Sequence, residues 1–181
     1  WTIVITLGNE KNQNTFIKPD YYANMDYENY VNELMLNRYY KKVNTFKDDT
    51  QILVNKCRSF EPEILLAVAR GGLTLSHLMA QAMNIKNLYS LNSIHYDGEV
   101  KLDTFNIFNI PDISHAKKVL IIDDIVDSGE TMREIFKILK ERFPNIEFKL
   151  ATLFYKNTAV IKPDFSVREA NTWIEFFWEV D

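Results

Sequence analysis

Three aspartates and a hydroxyl-flanked glycine stand close together in residues 119–132, VLIIDDIVDSGETM. Four apolar residues lead into Asp123 and Asp124, and Asp127 follows four positions after Asp123. Ser128, Gly129, Glu130 and Thr131 then open a stretch with helical spacing. Gly129 permits a tight turn, and hydroxyls flank it. A loop of this kind at a helix N-terminus offers free N–H groups and the positive end of the helix dipole, which suit a phosphate. The acids before it repel phosphate, so they face something else: the vicinal hydroxyls of a ribose, or a hydrated divalent cation. A phosphate cradle beside diol acceptors describes a site for a sugar phosphate. The plainer alternative is that the acids cap the turn and that Asp127 or Ser128 caps the helix. Capping alone does not call for two acids directly after a buried strand.

A second constellation lies at residues 67–78, AVARGGLTLSHL. Arg70 follows a strand end and precedes Gly71 and Gly72. Two residues without side chains let backbone N–H groups approach an anion, and Arg70 can pair with it. Alone, this is equally a turn with a surface arginine. Lys156 follows the apolar run 148–155, where a lone lysine is ordinarily just solvated. Residues 172–179, TWIEFFWE, set Trp173 and Trp178 among acids. For Trp178, core packing or a dimer contact is the preferred explanation.

These groups need elements to hold them. Apolar runs predict strands over residues 64–69, 119–122 and 148–155, with further strands over 87–94 and 102–110. Helical spacing predicts helices over 26–40, from an N-cap at Asp48 or Asp49 to about 59, over 73–83, and over 130–143. Strands alternating with helices imply βαβ crossovers and a mostly parallel sheet flanked by helices, an α/β fold. Ligands of such sheets lie at the carboxyl ends of the strands. That is where Arg70, Asp123, Asp124 and Lys156 fall.

Residues 119–132 resemble the ribose-5-phosphate-binding motif of the type I phosphoribosyltransferases. The match runs through the apolar strand, two acids, two apolar residues, a variable fifth position, Ser, Gly, one residue and Thr. In that family an acid at the fifth position marks the enzymes for 6-oxopurines, where it faces N7 of the base; here it is Asp127. The resemblance implies a catalytic Asp127. It implies phosphoribosyl pyrophosphate binding by Arg70, Gly71, Gly72, Asp123, Asp124, Ser128, Gly129, Glu130 and Thr131. The Arg-Gly-Gly segment is similar to the family's pyrophosphate loop, where the peptide before the arginine is often cis, here Ala69–Arg70. Residues 172–179 resemble the TWIE segment of the bacterial xanthine-guanine branch. This implies that Trp173 stacks on the purine, that Ile174 offers its carbonyl to the C2 substituent, and that Lys156 donates to O6. Magnesium is implied as cofactor, held by the substrate's pyrophosphate and Asp124. Residues 93–108 take the place of a mobile lid hairpin, and the tail that of a small base-binding hood. The resemblance covers about residues 27–181. It departs at Phe177, where the family has a proline, and residues 1–24 have no counterpart.

The implied activity is purine salvage: phosphoribosyl transfer to guanine, xanthine or hypoxanthine. Composition is compatible with this. The chain has 181 residues, 46% apolar and 25% charged, enough for one core and too apolar for disorder. We expect an N-terminal arm or extension over 1–24 and a single domain over 25–181. No apolar run approaches the roughly 18 residues of a membrane span. Residues 1–7 are apolar without a basic segment before them, and the single Cys57 cannot form an internal disulfide. Both favour a reducing, cytoplasmic location. The net charge of −4 disfavours nucleic acid as a partner. The substrates are therefore the expected partners, and the 13% aromatic share accommodates a homodimer or homotetramer interface. Two rivals remain. One is a phosphoribosyltransferase-fold regulator that senses nucleotides without catalysis, which need not keep Asp127, Lys156 and Trp173 together. The other is a phosphoribosyltransferase for another base, against which Asp127 and Lys156 argue.

Overall fold

The computed structural model describes residues 43–96, 104–172 and 174–179. Helix α1 spans Val43–Cys57 and runs into a short 3-10 turn, Arg58–Phe60. Strand β1 (Ile64–Ala69) follows, then α2 (Gly71–Met83), β2 (Leu88–Tyr96) and β3 (Thr104–Phe108). The chain continues through β4 (Lys118–Val126), α3 (Glu130–Arg142), β5 (Glu147–Tyr155) and β6 (Phe165–Glu169). The six strands form one sheet in the order β3-β2-β1-β4-β5-β6. Only the β2–β3 pair is antiparallel.

Two apolar layers clamp this sheet. On one face Phe46, Leu53 and Val54 of α1 and Leu75 and Met79 of α2 pack on Leu65, Leu120 and Ile122. On the other, Met132, Ile135 and Leu139 of α3 pack on Ile64, Leu66 and Ile121. Strand β1 is therefore apolar at every position, as suits a strand covered on both faces. The tail joins the first layer: Trp178 stacks on Phe176 at 4.7 Å and meets Phe46 edge-on at 5.1 Å. Trp178 thus has the packing role expected of it.

Several expectations shift. Helix α1 starts at Val43, so neither Asp48 nor Asp49 is an N-cap. Asp49 lies mid-helix, 1% exposed, and both its oxygens accept from the Arg168 guanidinium at 3.0 and 3.3 Å. Strand β4 runs four residues past the apolar core, because pairing with β5 continues through Asp123↔Thr152 to Val126↔Tyr155. Strand β6 is an edge strand with half-exposed residues, and it lacks the apolar run that marks the others. Helix α2 begins at Gly71, so both glycines of the Arg-Gly-Gly segment belong to its first turn. The expected helix over 26–40 and the arm over 1–24 lie outside the described residues.

Candidate active site

The sheet forks at one point. Strand β1 pairs with β4 only as far as Ala67↔Ile122, whereas it stays with β2 through Ala69↔Asn92. Successive connections leave to opposite sides here, which opens a crevice at the carboxyl ends of β1 and β4. A cavity of about 380 Å³ occupies it, lined by Val68, Ala69, Arg70, Gly71, Ser93, Asp123, Asp124, Ile125 and Thr131. Five of the expected binding residues, Arg70, Gly71, Asp123, Asp124 and Thr131, thus share one pocket. Ser93 was expected only as the start of the lid segment. It enters because β2 pairs with β1 as far as Ala69↔Asn92, which sets Ser93 just past the end of β1.

Close packing shapes this crevice. A Cβ on Gly71 would lie 2.6 Å from Cγ and Oδ1 of Asp124, and a Cβ on Gly72 would overlap the Ile122 carbonyl oxygen. The first turn of α2 therefore rests directly on the backbone and carboxylate end of β4. The Gly72 N–H of that turn donates to the Asp123 carboxylate, and the Leu73 N–H to the Arg70 carbonyl at 3.2 Å. The Ala69–Arg70 peptide is cis, as the resemblance implies.

Both acids are held back against their own backbone. Asp123 Oδ1 accepts from the Asp124 amide at 3.0 Å, and Asp124 Oδ1 from the Ile125 amide at 2.7 Å. Burial pushes the Asp123 carboxyl well above the usual range, and the Asp124 charge adds to this, while amides of Asp124 and Gly72 oppose it. Burial likewise pushes Asp124 up to about 6, against the pull of the Ile125 amide and with a further push from Glu179. Two carboxylates that resist ionisation side by side are stabilised by a cation or by donors such as sugar hydroxyls. Among the described residues no cluster of three or more His, Cys, Asp and Glu side chains could enclose a metal. The pair does fit a magnesium ion completed by substrate oxygens and water, the usual arrangement for that ion.

The phosphate-cradle segment follows β4. Gly129 takes φ +80 at the N-cap of α3, and a Cβ there would come within 2.9 Å of the Ile161 amide nitrogen. Ser128 Oγ accepts from the Glu130 amide at 3.3 Å, and the Ser128 carbonyl from Val160 N–H at 2.8 Å. The loop after β5 thereby packs against the cradle. It also brings Lys156 to Asp127, Nζ to Oδ1 2.5 Å, both partly exposed. Ile174 is 7% exposed within the α1–α2 layer, beside Phe176. Trp173 lies outside the described residues, as do residues 97–103 of the lid segment expected over 93–108.

A mostly parallel sheet with a forked centre, an acid pair near the end of β4 and a glycine-capped helix behind it form a crevice of the kind that doubly wound α/β folds use for ligands. The sequence profile of the phosphoribosyl transferase domain matches residues 33–181, and the chain belongs to that family, in its type I form. Its relatives include the xanthine-guanine phosphoribosyltransferase of Idiomarina loihiensis, 29% identical over 119 residues, which are 64% of this chain and 70% of that protein. The solved xanthine-guanine-hypoxanthine phosphoribosyltransferase of Helicobacter pylori is 37% identical, with a TM-score of 0.73 over 78% of this chain and 93% of the other. A purine phosphoribosyltransferase from Pyrococcus horikoshii is 25% identical, with a TM-score of 0.67 over 80% and 95%.

Proposed function

We propose that this chain transfers the phosphoribosyl group of phosphoribosyl pyrophosphate to a 6-oxopurine, releasing pyrophosphate and a nucleoside monophosphate. The observation that carries this reading is the Asp127–Lys156 pair, with Nζ and Oδ1 2.5 Å apart. On a 6-oxopurine the carbonyl O6 and N7 sit side by side on one edge. A lysine donor next to a carboxylate acceptor complements an O6 acceptor next to a protonated N7. A 6-aminopurine presents a donor where Lys156 would also present one, and is rejected.

In this reading the base attacks through N9. The N9–C1 bond forms as the C1–oxygen bond to pyrophosphate breaks, and Asp127 accepts the proton from N7. Lys156 holds O6 and fixes the ring. Trp173 stacks on the base, and the Ile174 carbonyl meets the C2 substituent. Asp123 and Asp124 accept from the ribose hydroxyls, and the amides of residues 128–131 hold the 5-phosphate. Arg70 and the first-turn amides of Gly71 and Gly72 hold the pyrophosphate. Asp124 is the residue that would hold magnesium, which when bound neutralises charge on the departing pyrophosphate.

The test is a panel of bases. Protein, phosphoribosyl pyrophosphate and Mg²⁺ are mixed with guanine, xanthine, hypoxanthine, adenine or orotate in turn, and nucleotide formation is followed. Turnover with at least one 6-oxopurine and none with orotate is expected. No turnover with any 6-oxopurine would sink the reading, and nucleotide binding without turnover would favour the regulator instead.

A further inference from the structure

One buried hydroxyl has no explanation in the fold. Thr152 on β5 is 0% exposed, and its Oγ1 has no hydrogen-bond partner among the described residues. Ser76 on α2 is the other such side chain among the described residues. Buried hydroxyls without partners carry a desolvation penalty and are rare in native folds. The neighbours of Thr152 along its strand, Leu150, Ala151 and Leu153, are all buried and apolar. Valine has nearly the same shape and would fill this place without the penalty.

The lateral neighbour of Thr152 is an acid of the site. Asp123 and Thr152 are register partners in the parallel β4–β5 pairing. Register partners in a parallel pair lie about 4.8 Å apart and direct their side chains to the same face. In the structure Asp123 Oδ1 turns forward to the Asp124 amide. Any ligand hydroxyl that donates to Asp123 from the crevice approaches from the open side. A donor on the sheet side would then hold the ionised carboxylate in place.

We propose that Thr152 is a positioning residue for Asp123, its hydroxyl donating to that carboxylate when the ribose of phosphoribosyl pyrophosphate fills the crevice. Thr152 touches no reacting atom and acts only through Asp123. This rests on the reading above, in which Asp123 accepts from the ribose.

Thr152→Val and Thr152→Ser separate this role from packing. Melting temperature without substrates, KM for phosphoribosyl pyrophosphate and KM for the base are measured for both variants and the wild type. Thr152→Val should melt at or above the wild type. Its KM for phosphoribosyl pyrophosphate should rise about tenfold, equivalent to about 1.4 kcal/mol, with the KM for the base nearly unchanged. Thr152→Ser keeps the hydroxyl and should restore most of the lost affinity. A Val variant with the wild-type KM for phosphoribosyl pyrophosphate overturns the proposal. So does one that fails to fold or melts below the wild type, or a Ser variant as impaired as Val. A wild type inactive with every base overturns the functional reading itself, whatever the variants do.

Discussion

Asp127 and Lys156 meet because two strands end in register. Val126 and Tyr155 are paired across β4 and β5, and the Lys156 amide donates to the Val126 carbonyl at 2.9 Å. The next residue of each chain segment therefore leaves the sheet at the same height. Nζ and Oδ1 come to 2.5 Å. The paired strand ends thus set the spacing of this donor and acceptor.

This pair should split into two roles on mutation. Asp127→Asn removes the proton acceptor and should lower kcat by roughly 100-fold to 10,000-fold, with little change in the affinity for phosphoribosyl pyrophosphate. Lys156→Met should instead raise the KM for the base roughly 10- to 100-fold, the range of a charged hydrogen bond. Steady-state kinetics with each substrate varied in turn distinguishes them. Equal loss of turnover and phosphoribosyl pyrophosphate affinity in Asp127→Asn contradicts its assignment.

The two glycines at the start of α2 should fail differently. A Cβ at position 72 meets the Ile122 carbonyl, a backbone atom that cannot turn aside. Gly72→Ala should therefore destabilise the fold by about 1–3 kcal/mol through overpacking. The atoms nearest a Cβ at position 71 belong to the Asp124 carboxylate, a side chain that can rotate away. Gly71→Ala should keep most of its stability yet lose phosphoribosyl pyrophosphate affinity, because Asp124 is displaced. Denaturant unfolding and KM measured together check both, and the reverse pattern counts against the packing described.

The raised Asp124 carboxyl makes stability depend on pH. Its folded value, about 6, lies above the 3.8 of the free side chain, mainly through burial. The folded state then binds more protons than the unfolded state between those values. Its contribution to stability is full below the lower value and is lost as pH rises through the upper one. The protein without substrates should melt lower at pH 7.5 than at pH 5 on this account. Asp124→Asn should exceed the wild type at both pH values and by more at pH 7.5, where the difference is at most about 3 kcal/mol. Binding of magnesium phosphoribosyl pyrophosphate should run the other way and tighten as pH rises through 6. Calorimetric melting at the two pH values tests the sign, and an equal gap at both is the adverse result.

The thiol of Cys57 should be inert. It is fully buried in α1, and burial, with Asp164 adding, pushes it up to about 12. Thiolate is then scarce at pH 8, and access is closed. A disulfide reagent should label no thiol in the native protein and one per chain in guanidinium. Rapid native labelling would contradict the burial.

Much of the site was legible because its strands are buried on both faces. Residues 64–69 form β1 as the apolar run implies. The acids of β4 were less transparent: aspartates are poor strand formers, so a sequence reading ends the strand at Ile122. Tertiary pairing with Thr152 and Phe154 carries it on. Gly71 and Gly72 were assigned to anion approach, whereas the structure shows a second need, their contact with Asp124 and Ile122. No local signal announces this contact, because it joins segments some fifty residues apart. The same holds for Asp49, whose partner Arg168 lies across the chain, so that a buried carboxylate in a half-buried ion pair looked like a helix cap. Strand β6 escaped notice because an edge strand with polar residues carries neither alternation nor an apolar run.

The most direct test of the central claim is a competition. Equal concentrations of hypoxanthine and adenine are given to the wild-type protein with limiting phosphoribosyl pyrophosphate and Mg²⁺, and the two nucleoside monophosphates are quantified. The product ratio equals the ratio of kcat/KM values, independent of protein concentration. The donor–acceptor pair of Lys156 and Asp127 predicts inosine monophosphate in excess by roughly a hundredfold or more. Comparable amounts of both products, or adenosine monophosphate in excess, would contradict it.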